Sequence, residues 1–242
     1  MLADAVWIFP LAAAIVAIVF VAALARGFVR RPRAFQGLWV LALLMYAAAS
    51  FALFLGVLNG WTTAEYRVYW LLGAILNVPF LAVGEVSLLA RKPAVTNVLL
   101  VLLLFASAFA LARVRTATID VSALGKDLPL GKDVFARDTL PYRLSQLYAY
   151  PAYVVLLLGM TWSVWKMRSV PAARDRMAGT ALIAAGATVV AIGSGVGAGL
   201  NVVPVFSVGL LAGIVVMFWG FVLASRAPRL APPPAVPSTS SP

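Results

Sequence analysis

Apolar residues in this chain come in seven long blocks rather than in the short alternations of a soluble fold. The blocks cover 7–28, 37–59, 69–90, 95–112, 147–166, 177–199 and 205–225. Each is close to the roughly 20 residues with which an α-helix crosses about 30 Å of hydrocarbon. Between the blocks lie short charged connections, one long hydrophilic connection at 113–146, and a Pro-rich tail at 226–242. In lipid only helices and closed barrels satisfy every backbone polar group, so the pattern predicts an all-α, polytopic seven-transmembrane helix bundle. The tail has too little apolar surface for a core and reads as disordered.

Composition strengthens this reading, because 63% of the residues are hydrophobic and only 11% charged, more apolar surface than a soluble domain can hide. The net charge of +11 raises nucleic acid as a partner. The basic residues, however, sit mainly at span ends, where membrane orientation accounts for them, so a nucleic-acid partner is set aside. Arg26, Arg30, Arg31 and Arg33 follow the first span, Arg91 and Lys92 the third, and Lys166, Arg168, Arg174 and Arg176 lie around the fifth connection. The positive-inside rule puts these connections in the cytoplasm, with the N-terminus and 113–146 outside and the C-terminus cytoplasmic. The start, MLADAV, lacks the basic region of a signal peptide, and the first block reads as a retained helix. The expected location is the inner (cytoplasmic) membrane, multi-pass, with the lipid bilayer as first partner.

Chemistry is narrowed by what the chain lacks. With no Cys and no His, disulfides, thiol and imidazole catalysis, Cys or His metal ligands and axial His haem ligation are all excluded. No cofactor and no metal site is expected. Ser50, Ser107, Ser194 and Ser207 stand without an adjacent base in sequence and read as helix hydrogen-bonding residues, so the chain is not expected to be an enzyme.

The third block is the unusual one, since YWLLGAILNVPFLAVGEVSLLARK carries Asn77, Pro79 and Glu85 inside an apolar run. Gly73, Asn77 and Gly84 recur at intervals of four and seven and share a face. Pro79 removes the hydrogen bond to the Ile75 carbonyl and predicts a kink. Glu85 has two readings: a cavity-facing carboxylate that binds a cation or proton, or a side chain that snorkels toward the boundary at Arg91, about 9 Å along the helix. Tyr46 and Ser50, one turn apart in the second span, offer a structural hydrogen bond or a ligand contact. In the sixth and seventh spans Gly186, Gly193, Gly197, Gly209, Gly213 and Gly220 form small faces that predict close packing, with Gly193/Gly197 and Gly195/Gly199 as contact pairs. The series GSGVGAG lacks the strand-turn-helix context of a nucleotide loop.

The remaining signals concern the outer side. Trp61, Tyr66, Tyr69 and Trp70 read as an interfacial aromatic belt. The long connection repeats GKDLPL as GKDVFA, reads as a solvated loop, and has one candidate strand at TATIDVSAL. At the level of helix count the layout resembles microbial rhodopsins, but that family's retinal attachment implies a Lys in the last helix, and 205–225 has none. The chain also resembles uncharacterised bacterial seven-helix membrane proteins with a long fourth connection, a likeness that carries no function with it. The reading favoured by Glu85, Asn77 and the glycine faces is a small-molecule or ion transporter or transporter component. The alternative is a non-enzymatic sensor, receptor or assembly protein with a small-molecule or protein partner.

Overall fold

The structure, a computed structural model, describes residues 6–90, 92–125, 128–200 and 202–226, with only the backbone described at 196–200. The tail at 227–242, Arg91 and the Lys126-Asp127 part of the internal repeat lie outside the described residues. Seven long helices follow one another: α1 Ile8–Arg30, α2 Ala34–Asn59, α3 Thr63–Leu89, α4 Pro93–Thr116, α5 Leu140–Met167, α6 Arg174–Leu200 and α7 Val203–Arg226. All seven are long and apolar enough to cross a membrane, and the protein is a polytopic membrane-spanning helical bundle.

Several boundaries differ from those read off the apolar blocks, and local chemistry explains each. α3 begins at 63 rather than 69 because Thr62 and Glu65 form a capping box, Glu65 N donating to Thr62 Oγ1 at 3.2 Å and Thr62 N to Glu65 Oε2 at 3.0 Å. α5 begins at 140 rather than 147, with Pro141 in its first turn, where a missing amide donor is least costly. Pro151 is therefore interior to α5 rather than near its start. The long connection is correspondingly shorter than 113–146 and runs from 117 to 139. At the end of α2, Gly60 takes φ +83°, a left-handed conformation that stops the helix without a Cβ clash.

Six helices close into a ring in which α1 packs on α2, α2 on α3, α3 on α5, α5 on α6, α6 on α7, and α7 back on α1. α4 lies outside the ring against α3, with a lighter contact to α5. Its surface is accordingly lipid-compatible, with Val98, Val101, Leu102, Leu104 and Phe105 exposed.

The tightest seam is α6 against α7, and glycine makes it so. A Cβ on Gly193 would sit 2.8 Å from the Gly209 Cα, one on Gly186 2.6 Å from the Gly213 carbonyl oxygen, and one on Gly220 2.6 Å from that of Gly179. Backbone touches backbone at three levels, so dispersion contacts replace the water exclusion that cannot operate in lipid. Gly195 departs from the sequence reading, because its Cβ direction meets open space. Gly197 and Gly199 lie outside the residues whose surroundings are described. Gly193→Val is expected to lower stability by about 1–3 kcal/mol through overpacking. Gly195→Ala is expected to leave stability unchanged or raise it by up to about 1 kcal/mol. Thermal denaturation of the solubilised protein checks both.

Candidate functional site

α3 is built in three parts. An α-helical entry at Thr63–Tyr69 leads into a π-helical stretch at Trp70–Leu76, and α-helix resumes at Asn77–Leu89. The Asn77 amide donates to the Leu72 carbonyl, five residues back. Pro79 has no N–H and its ring crowds the carbonyl four residues before it, so the wider π turn accommodates the disturbance immediately upstream.

Below that turn, two polar groups reach in different directions. The Asn77 Nδ2 donates to the Ala42 carbonyl of α2 at 2.7 Å. One turn along α2 from Ala42, the Tyr46 hydroxyl donates to the Leu210 carbonyl of α7 at 2.8 Å, and Ser50 stands within hydrogen-bonding reach of Tyr46. Ala42, Tyr46 and Ser50 thus form one stripe of α2, which Asn77 joins from α3 and the Leu210 carbonyl from α7. Gly73 allows that approach, since a Cβ there would lie 3.0 Å from the Ala49 Cβ.

Glu85 is not part of this stripe. It lies eight residues beyond Asn77, about 12 Å along the helix and roughly 80° around it. Only 1% of its surface is exposed. Its Oε1 accepts a long hydrogen bond from the Ser163 hydroxyl of α5 at 3.4 Å, and a Cβ on Gly159 would come within 2.7 Å of its Cγ. The snorkelling reading of Glu85 does not fit this geometry, and the carboxyl of the other reading is enclosed at the α3–α5 seam rather than open to a cavity. It does not snorkel, because Gly159 and Ser163, one turn apart, form a notch in α5 that takes the carboxyl. Nor does it share a cavity with Asn77, because the helical twist turns the two toward different neighbours. Gly84, beside it, receives the ring of Trp39, whose Nε1 donates to the Leu81 carbonyl at 3.3 Å.

At the opposite end of α3 the expected aromatic belt is a packed box. Trp61, Tyr66 and Trp70 are buried, with Phe135 against Tyr66 and Trp70, and Tyr142 stacked on Trp70 at 6.4 Å. The correction has a physical cause, because 117–125 and 128–139 of the connection fold over the first turns of α3 as a cap and remove these rings from the lipid boundary. Tyr66 donates its hydroxyl to the Pro129 carbonyl at 3.2 Å, and Trp70 Nε1 donates to the Pro141 carbonyl at 3.1 Å. Gly131 lies on the Trp70 ring so closely that a Cβ would overlap it. Arg67 donates to the Arg115 carbonyl and, at 2.8 Å, to the Ala117 carbonyl, covering the last carbonyls of α4. The candidate strand is absent among the described residues, and a 3₁₀ turn occupies Val121–Gly125 instead. Between the cap and the ends of α4 and α5 lies an open cleft of 720 Å³, its polar lining including Arg113, Thr116, Asp120, Asp133 and Thr139.

Sequence reasoning missed Gly159, Ser163, Gly131 and Arg67. The i,i+4 Gly-Ser pair in α5 was visible as small residues, whereas the partners of Arg67 are backbone carbonyls and leave no side-chain signature. Trp70→Ala is expected to cost about 3–5 kcal/mol, because it empties the centre of the box. It should also expose 117–139 to limited proteolysis. Asn77→Leu, which removes one interhelical hydrogen bond, is expected to cost about 0.6–1.7 kcal/mol. Ala136 takes φ +61° in the cap, so Ala136→Gly should raise thermal stability by about 1 kcal/mol. No protein family, curated protein or solved structure matches the chain, and its functional reading rests on this geometry.

Proposed function

We propose that the chain is a non-enzymatic transport protein, or the membrane component of a transporter, in which Glu85 handles a proton or small cation at the α3–α5 seam. The observation that carries this reading is a carboxyl 1% exposed inside the bundle, with the neutral Ser163 hydroxyl as its hydrogen-bond partner and no ion pair to it among the described residues. An acidic side chain within a membrane span costs about 2.5–3.5 kcal/mol by insertion measurements, and such residues mark ion and proton paths. A leucine or glutamine would pack the same notch without that cost.

Two further features support it. The π turn and Pro79 interrupt regular α-helical bonding between the capped end of α3 and the segment bearing Glu85, so the lower half can tilt without carrying the cap with it. Gly159 and Ser163 present a small face that α3 can leave and rejoin. The carboxyl is enclosed in this conformation, so the reading requires α3 and α5 to separate during turnover. The proposal places the protein in the inner (cytoplasmic) membrane with the cap outside and the C-terminus in the cytoplasm, since Arg30, Arg31, Arg33, Lys92, Lys166 and Arg168 lie around the connections at the end away from the cap.

A second reading, a receptor or assembly protein, is favoured by the ordered cap and its cleft. Reconstitution separates the two. In proteoliposomes loaded with a pH-sensitive dye or a cation indicator, Glu85→Gln should reduce flux at least tenfold, with the variant still monodisperse and thermally stable. Flux unchanged by Glu85→Gln overturns the carboxylate role. Absence of flux in the unaltered protein, together with a copurifying protein partner lost on cap substitution, supports the second reading.

A further inference from the structure

At the end of the bundle away from the cap, the last turns of α5 present a surface made almost entirely of hydrogen-bond donors. Trp162 and Trp165 stack at 5.2 Å between ring centres and 29° between planes, and the Arg168 guanidinium lies 4.9 Å from the Trp165 ring centre. The three side chains form a ladder on the outer face of the helix, with Trp162 54% and Trp165 50% exposed. Lys166, Arg168, Arg174 and Arg176 are all exposed, and none of them has an acid partner among the described residues. Neither ladder indole has an acceptor for its N–H among those residues. Asp175 is the one acid within 166–176, and the tail at 227–242 adds no Asp or Glu to offset the four cations. Toward the middle of the bundle the same face continues as the exposed side chains of Leu158 and Val154. From Trp162 to Val154 is about 12 Å along the helix, close to the roughly 15 Å of hydrocarbon in one leaflet.

We propose that this ladder and the cations around it bind the headgroup of an anionic phospholipid, phosphatidylglycerol being the simplest. Phosphate and ester oxygens are acceptors, and the protein offers them donors: two indole N–H groups, the Arg168 guanidinium and the Lys166 ammonium. Arg174 and Arg176 join from the first turn of α6, across a short connection that includes the 3₁₀ turn Pro171–Ala173. The ring contact engages the Arg168 guanidinium through its face, so its in-plane N–H groups stay available for a phosphate fork. The acyl chains then run along Leu158 and Val154. Charge selects the headgroup, since a zwitterionic lipid brings its own cation among four others with Asp175 as the one acid, whereas an anionic lipid offsets them. A soluble phosphate shares the headgroup chemistry but makes no use of the apolar stripe. The inference is independent of Glu85: Gly159 and Ser163 each follow a ladder-face residue by one position, which turns them about 100° further round, toward α3.

The test uses the full chain in phosphatidylcholine nanodiscs holding a minor fraction of phosphatidylglycerol brominated near the top of its acyl chains, where bromine quenches nearby indoles. The signal of Trp162 and Trp165 is isolated by difference from the Trp162→Phe/Trp165→Phe protein. Brominated phosphatidylglycerol should quench that signal at least threefold more strongly than brominated phosphatidylcholine at the same fraction. Lys166→Gln/Arg168→Gln, both at exposed positions, should bring the two lipids to parity with thermal stability retained. Arg174→Gln/Arg176→Gln should at least halve the preference. Equal quenching by the two lipids in the unaltered chain, a preference unchanged in the Lys166→Gln/Arg168→Gln protein, or loss of the quenching on adding soluble glycerol phosphate would each overturn the proposal.

Discussion

The backbone of α3 has to satisfy its own polar groups wherever it passes through hydrocarbon, and Pro79 removes one of its donors. The helix answers by widening into a π stretch over Trp70–Leu76. That local adjustment sets the azimuth of everything below it relative to everything above. Above the π stretch, Tyr66 is buried beneath the cap, and Trp70 opens the stretch as part of the same box; below it, Asn77 reaches α2 and Glu85 reaches α5. One helix therefore carries the cap contacts, the cross-ring tie and the buried acid. The order of neighbours in the ring is consistent with this, since α3 touches α2, α4 and α5.

How much of this was legible in the chain depends on the range of the interaction. The seven apolar blocks are local in sequence, and they gave the number and approximate position of the helices because length and hydropathy are properties of a window. Boundaries failed where polar residues continue a helix, at Thr63–Arg67 and at Leu140–Gln146, since a hydropathy window stops before a capping box or an amphipathic first turn does. The glycines facing one another across α6 and α7 were visible as a spacing, while the empty side of Gly195 was not, because spacing alone does not say which flank meets a neighbour.

The candidate site was less legible for the same reason. Asn77, Pro79 and Glu85 stand out in any apolar run, but their partners are distant: Ala42 is 35 residues from Asn77, and Ser163 is 78 from Glu85. Eight residues of helix bring Asn77 and Glu85 near in sequence and still turn them apart in space. The aromatic residues at 61–70 have the composition of a membrane-interface belt, and only the return of 129–141 over them decides that they are interior. Pro129, Gly131 and Pro141 are ordinary loop residues until the ring of Trp70 is placed beneath them.

The glycine seam between α6 and α7 gives the ring two walls of different mechanical character. Where backbones touch, the attraction is short-ranged and falls away within a fraction of an ångström, so that wall resists sliding and acts as a stiff post. The α3–α5 wall is built differently, from the Gly159 and Ser163 notch, a long hydrogen bond and a proline-bearing helix. The bundle is in that sense asymmetric, and the buried acid lies in the wall that is not sealed backbone against backbone.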